Sequence, residues 1–581
     1  MKLLAVIANR FTLLVILAVL GLQALVCGIP FAKNATALNK PGVRGGTLVI
    51  SSHSEPRTLN PLIAIDTSSR QLIGLLNADL IHINSYTQQT EPALAESWNV
   101  SDAGRRYTMH LRRGIRFSNG LPFDADDVVF SFRAYLDERV ASPQRDLLIV
   151  GGKPIQVQKI DAYTVAFHLD QPYAAAERLF DSIAMLPHQP LEKKLTEGSI
   201  RSAWNLATPP AQMAGLGPFR LASYAPGQNV VLERNPFYWR RDQEGTQLPY
   251  LDRVSCVFAA NSDAEMMRFE QGETHILSKI DAANFAVLER RQRAGNYHIE
   301  DVGAGLEYNF LLFNENAFAS EPLPDFFRKQ KWFKQVAFRR AISSAIDRNA
   351  IVRVAYFGRA DAIATQVTPG NTRWIDRSIP TPVRSLAEAR KLLAGCGFRW
   401  SNNMLVDSAG NPVRFSIMVN AGKAPQVAMA TLIQQDLRDI GIRVDLDQVE
   451  FHTYLDRIFS KRRYEAAIMA LVDGDADPNS EINVLPSTGT THVWQLTSGE
   501  PPEAWQREID ELMQKQLITP NYTERKRLYD RVQYLVWENM PVIYLVSPHI
   551  LVAARNTIGN FHPAILGDYA LWNADRLFFH R

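Results

Sequence analysis

The sequence predicts an exported α/β protein of more than one domain, and three observations lead there. At 581 residues the chain exceeds what a single hydrophobic core organises. Its second half alternates helical and strand periodicities, the pattern of an α/β lobe. It also opens on a positively charged, apolar leader and holds no later apolar run of 18 residues or more.

Lys2 and Arg10 form the positive start of that leader, and Phe11 to Val26 is an apolar stretch of 16 residues, short for a spanning helix. Two processing points stay open. Ala35-Thr36-Ala37 fits a small-x-small cleavage site, which sets the leader at residues 1–37, and Cys27 suits a lipidated first residue. Gly45-Gly46 then introduces a strand from Thr47 to Ser51, followed by a loop whose two prolines prevent regular pairing.

Between Thr90 and Phe132 the reading is densest. Tyr107, Met109 and Leu111 alternate with polar residues as a half-buried strand does, and Ile115 and Phe117 predict a second strand beyond the turn at Arg112 to Gly114. Asp124 is an N-cap with acidic residues in the first turn, and Phe123 with Val128 has the spacing of a hydrophobic staple. The helix that follows should bury Val128, Phe132 and Tyr135.

Further on, Phe338, Ala341, Ile342, Ala345 and Ile346 share one helical face, leaving Arg339, Arg340, Ser343 and Ser344 on the other. Ser385 and Glu388 make a capping box for a helix ending at Gly395. A helix from about Ala428 to Ile440 stops at Gly441, and Ile442, Val444 and Leu446 alternate as a strand. Asn521 and Glu524 cap a helix to about Asn539, after which Pro541 releases the strand Val542 to Val546.

Composition narrows function by exclusion. The 63 basic and 60 acidic residues give +3, and loss of Lys2, Arg10 and Lys33 with the leader balances them at 60 each. Nucleic-acid binding, which needs a basic excess, gets no support. No two of the twelve histidines lie within five residues of one another, so no local zinc pair forms, and G-x-S-x-G is absent. Gly215 and Gly217 lack the third glycine of a dinucleotide loop, and Pro218 follows them. No cofactor or metal is expected, and the chain does not read as an enzyme. Cys256 and Cys396 either pair or sit in the core as small hydrophobes, the second reading being preferred.

The segments E-P-x-L-A-E-S-W, Y-x-x-x-L-R-x-G-I-x-F-S-N-G and F-D-A-D-D-V-x-F-S, with Gly215 to Trp239, Phe338 to Arg348 and Leu571 to Asn573, resemble the family 5 extracellular solute-binding proteins of ABC importers. The resemblance implies a periplasmic-binding-protein-like fold of two lobes and three domains, the first discontinuous. Domain I is then residues 45–86, 205–302 and 547–581, domain II is 87–204 and domain III is 303–546. It implies a monomer, periplasmic or otherwise extracytoplasmic, that closes on a peptide or similar small solute and delivers it to a membrane permease. Two rivals are an exported hydrolase and a sensory or scaffold module that kept the fold without transport.

Asp473, Asp475 and Asp477 crowd the loop after the apolar strand Ala466 to Val472, where ligands gather in α/β sheets. An EF-hand is disfavoured, because Pro478 and Val484 stand where it needs Gly and Glu. Peptide-binding members of the resembled family place here an Asp that meets the peptide ammonium group. With Asp477-Pro478 aligned, Gly474 falls at that position, so Asp473 or Asp475 would take the role; both also suit a plain turn. His492 and Trp494 are spaced to offer an imidazole and an indole to one cleft wall, or else to sit inside as a buried, hydrogen-bonded His with a packed Trp, the second reading being preferred. His53 and Glu55 in the first loop, with Glu307, Tyr308 and Asn309 at the entry to the last lobe, complete the expected cleft.

Overall fold

The long strand Val542–Arg555 ties the molecule together. Its first residues pair antiparallel with Glu307–Phe313, from Leu312 opposite Val542 to Asn309 opposite Val546. Its last pair with Tyr297–Ala304, from Asp301 opposite Leu551 to Tyr297 opposite Arg555, and with Ile276–Leu277. The structure, a computed structural model, describes residues 39–580 except 182, 317–322, 324 and 497–501, and the expectations for the leader, Cys27 and Ala35 to Ala37 lie outside them. All elements named below belong to one compact unit, Pro41–Arg581. No helix among the described residues is long and apolar enough to cross a membrane.

Around that strand the sheet runs, in order, Phe219–Ala225, Asn229–Arg234, Arg253–Phe258, Thr47–Ser52, Ile276–Leu277, Val542–Arg555, Glu307–Phe313, Ala466–Val472, Arg414–Asn420 and Arg443–Val449. The mixed α/β class read from the sequence is therefore present. Parallel pairs such as Arg414–Asn420 with Arg443–Val449 are joined by the helix Ala424–Arg438, because parallel strands need a crossover. Ile543 and Leu545 enter one apolar cluster with Phe313, Phe338 and Ile417, whereas Val552 and Ala554 enter another with Leu48, Ile50 and Val254.

A separate four-stranded antiparallel sheet, Ala95–Ser101, Arg106–Leu111, Thr164–His168 and Gln156–Asp161, is covered by the helix Ala125–Leu136. Asp124 caps that helix in a full capping box with Asp127. Val128, Phe132 and Tyr135 are buried, and Phe132 meets Phe167 edge-on at 4.9 Å.

Some expectations were not met. After Arg112 no second strand forms: Phe117 N donates to the Leu121 carbonyl, closing the segment on its own Asn119-Gly120 turn, and only an isolated bridge links Arg116 to Pro122. Ile115 and Phe117 are nonetheless buried. On the face of the helix Val336–Ala345 opposite Phe338, as the spacing placed it, Arg339 is buried against Glu315 at 2.7 Å and donates to the Asn539 and Met540 carbonyls, filling the C-terminal end of the helix Tyr522–Asn539. Cys256 is a buried free thiol in the strand Arg253–Phe258, and Cys396 is likewise free.

Gly217 allows the returning chain to touch the end of the helix Thr67–Leu76. Its N–H donates to the Leu76 carbonyl at 3.0 Å, and a Cβ there would lie 2.6 Å from the Asn77 nitrogen and the Leu75 oxygen. Gly217→Ala is expected to lower the unfolding free energy by about 1–3 kcal/mol, the usual range for overpacking, measured by urea unfolding; an unchanged midpoint would refute the close packing.

Candidate functional site

A cavity of about 370 Å³ lies where six stretches of chain converge. They are the end of the helix Thr67–Leu76 with the residues down to Ser85, Ala93, Arg178 with Asp181, Pro218 with Tyr238 to Arg240, Gly474-Asp475, and residues 566–575. Its volume is that of a site for a small molecule or short peptide.

The loop after Ala466–Val472 enters this cavity at Gly474 and Asp475. Its shape is set by Asp477, which is buried and receives both arms of the Arg525 guanidinium at 2.7 and 2.6 Å. Burial pushes the Asp477 carboxyl up, but Arg525, helped by Arg178 and the Asn479 amide, more than offsets it and holds the group below its ordinary range. Asp477 also caps the short turn Pro478–Asn483. From the opposite wall Arg178 pairs with Asp475, reaches Asp477 at 3.6 Å and donates to the Gln88 carbonyl. Asn479 bonds the Tyr173 hydroxyl, and the Ala174 amide donates to Leu517 O, so this wall and the loop are joined at several points.

The remaining walls are rich in carboxyls. Asp575 is buried, accepts from the Tyr238 hydroxyl at 3.1 Å and pairs with Arg240 at 3.7 Å. Asp181 accepts from Ile83 N at 2.7 Å and lies 3.4 Å from His82. Burial, and then the Asp181 carboxylate, push Asp79 well above the ordinary carboxylate range against the pull of Arg240. Burial pushes Asp568 up to about 6, opposed by Arg70. The Trp239 ring stands between the guanidiniums of Arg112 and Arg240, each 5.1 Å from its centroid.

Of the residues the sequence pointed to, Asp475 alone lines this cavity. Asp473 is half-buried behind it, its carboxyl pushed up by burial and then by the nearby Glu481. Tyr308 is buried and donates its hydroxyl to Glu481 at 3.2 Å, and Asn309 is buried beside it in the sheet. His492 and Trp494 do come together, with ring centroids 4.0 Å apart, but inside an apolar cluster with Tyr464 and Leu485. His53 pairs with Glu265 at 2.7 Å and Glu55 accepts from the Tyr224 hydroxyl, both outside the cavity lining. The carboxyls of Asp79, Asp181, Asp568 and Asp575 had no local signal, since they are scattered over three stretches far apart in sequence. Trp239 and Trp572 did stand in stretches that carry the family resemblance. Among the described residues no group of three or more His, Cys, Asp or Glu could hold a metal ion.

Comparison with known proteins gives the family and the fold. The family model for bacterial extracellular solute-binding proteins, family 5 (middle), matches residues 89–491. A probable ABC transporter-binding protein of Deinococcus radiodurans is 27% identical over 88% of each chain. The oligopeptide-binding protein AppA of Bacillus subtilis is 23% identical over 96% of this chain and 97% of its own. NikA from Brucella suis, solved in complex with Fe(III)-EDTA, superposes with a TM-score of 0.76 at 21% identity, covering 92% of this chain and 100% of that one, which is a likeness of fold.

Two outcomes test the site's framework. Arg525→Met strands the buried Asp477 carboxylate and should cost about 3–5 kcal/mol in urea unfolding; a loss below 1 kcal/mol would mean that the pair is not buried in solution. His492, whose Nδ1 donates to the Val484 carbonyl at 2.9 Å, is pushed by burial from 6.5 down to about 4. Between those values the unfolded chain takes up a proton that the folded chain refuses, so stability falls as pH drops from 6.5 toward 4. His492→Gln should remove about 3 kcal/mol of that acid-side loss, read from unfolding midpoints across the window; an unaltered slope would overturn the assignment.

Proposed function

Because the chain belongs to the family 5 bacterial extracellular solute-binding proteins, we propose that it captures a peptide or similar small solute in the cavity at Asp475 and presents it to the membrane permease of an ABC importer. The observation that carries this reading is a cavity of about 370 Å³ whose opposite walls are bridged by Arg178 and Asp475. Binding a solute at such a bridge favours the closed arrangement by the difference in its contacts with the two states, which is how a binding protein reports occupancy to a permease. On this reading the chain acts as a monomer outside the cytoplasm and performs no catalysis, and the energy of import comes from ATP hydrolysed elsewhere.

The same reading divides the chain into domain I (45–86, 205–302, 547–581), domain II (87–204) and domain III (303–546). Support comes from Val542–Arg555, which leaves one apolar cluster after Val546 and enters another from Ile550, with half-buried Pro548 and His549 between. Proline lacks the N–H that a continuous ladder needs, so the strand is weakest where a hinge would bend it. Of the two candidate ammonium partners, Asp475 is favoured over Asp473 because it stands on the cavity wall.

The test begins with native mass spectrometry of whatever solute co-purifies. For that solute Asp475→Asn is expected to raise Kd about tenfold, through loss of one charge-assisted contact, with Asp473→Asn near wild type. Unchanged affinity in Asp475→Asn, or no fall in radius of gyration when solute is added, would overturn the proposal.

A further inference from the structure

Charges on the cavity walls do not balance. Five carboxyls, Asp79, Asp181, Asp475, Asp568 and Asp575, line it, against the guanidiniums of Arg178 and Arg240 and the imidazole of His82. Both guanidiniums are already engaged, Arg178 with Asp475 and Asp477 and Arg240 with Asp575. Among the described residues, neither Asp79 nor Asp568 has a cationic partner within ion-pair distance, and Asp181 has only the His82 ring.

The walls therefore offer acceptors in excess of donors. Anionic or acceptor-rich solutes would leave carboxylates facing carboxylates, which is strongly disfavoured where water is excluded. Cationic N–H groups would satisfy Asp79, Asp181 and Asp568 together, each as a charge-assisted hydrogen bond. Tyr238 and Trp572 supply apolar surface on the same lining for the methylenes between such cations.

We infer that the cavity takes a small solute carrying at least two amine or guanidinium cations. This rests on the reading of the cavity as the ligand site, and names the chemistry that site selects. Basic dipeptides and polyamines both provide it.

Titration calorimetry on the full chain, freed of bound solute by unfolding and refolding, decides the matter with lysyl-lysine, spermidine, alanyl-alanine and alanyl-glutamate as probes. At least one of the two cationic probes is expected to bind about tenfold or more tightly than alanyl-alanine, the worth of one extra hydrogen bond to a charged group. Preference for lysyl-lysine assigns the cations to peptides, and preference for spermidine assigns them to polyamines. Asp79→Asn and Asp568→Asn, which keep side-chain shape, should each weaken the preferred cation by about tenfold, and by more than they weaken alanyl-alanine; circular dichroism confirms that each is folded. Gly474→Trp reports on the cavity itself, since nothing stands within 4 Å of a Cβ there and the indole would fill the space.

If alanyl-alanine or alanyl-glutamate binds as tightly as the cations and Gly474→Trp abolishes it, the charge inference fails and the cavity reading survives. If cation binding persists in Gly474→Trp, the cavity reading fails and takes the inference with it. Absence of measurable binding by both cations also overturns the inference.

Discussion

Asp477 and Arg525 meet in the interior with both side chains almost wholly removed from water, and the geometry of the candidate site follows from that pair. Taking two charges into a protein interior is unfavourable by several kcal/mol per ion unless every lone pair and proton is met. Here much of that is supplied by two parallel N–H to carboxylate bonds, a third from Arg525 Nε to the Gln516 side chain at 2.8 Å, and the Asn479 amide on Asp477. Arg525 also lies 5.0 Å from the centroid of the Trp374 ring. A loop that would otherwise be free to flex is thereby fastened to the helix Tyr522–Asn539, and Gly474 and Asp475 are presented to the cavity in one arrangement.

Arg178 extends that constraint to the facing wall. It sits on the short helix Ala176–Leu179 and touches the carboxylates of Asp475 and Asp477 as well as the carbonyl of Gln88. Gln88 in turn bonds the Gly370 carbonyl at 2.9 Å. Separation of the two walls would expose all of these groups to water at once, so any movement between them is governed by a small, polar contact set that water can replace. Such sets suit equilibria between two states only a few kcal/mol apart, unlike broad apolar faces.

Local pattern made much of the fold legible. The opening strand at Thr47, the Asp124 cap, the Ser385 and Asn521 caps and the apolar face at Phe338 all follow from neighbours within a few residues, and all are present. The strand expected from Val542 to Val546 runs on to Arg555, and Pro548 falls where one set of ladder partners is exchanged for another. The burial of Arg339 had no local signal, as its carbonyl acceptors come from residues about 200 positions away. The cavity was largely hidden, since its carboxyls sit singly in segments spread from Asp79 to Asp575. His492 and Trp494 were also open to a cleft-wall reading, yet the apolar residues around them belong to distant strands and helices that bury both. Asp475 could be found because strand ends are where ligands collect, a rule of architecture independent of long-range packing.

The strand Thr47–Ser52, among the first elements to emerge from the ribosome, finds its ladder partners at Arg253–Phe258 and Ile276, and the last of these leans on Ala554. Gly46 beside it is covered by Phe579, and the His580 amide closes on Thr557. A sheet whose earliest strand waits for residues synthesised hundreds of positions later has high contact order and assembles slowly. The apolar cluster from Leu62 to Leu216 needs nothing beyond its own stretch of chain, so the large sheet, whose first strand waits for Ile276 and Ala554, is the last part of the fold to close.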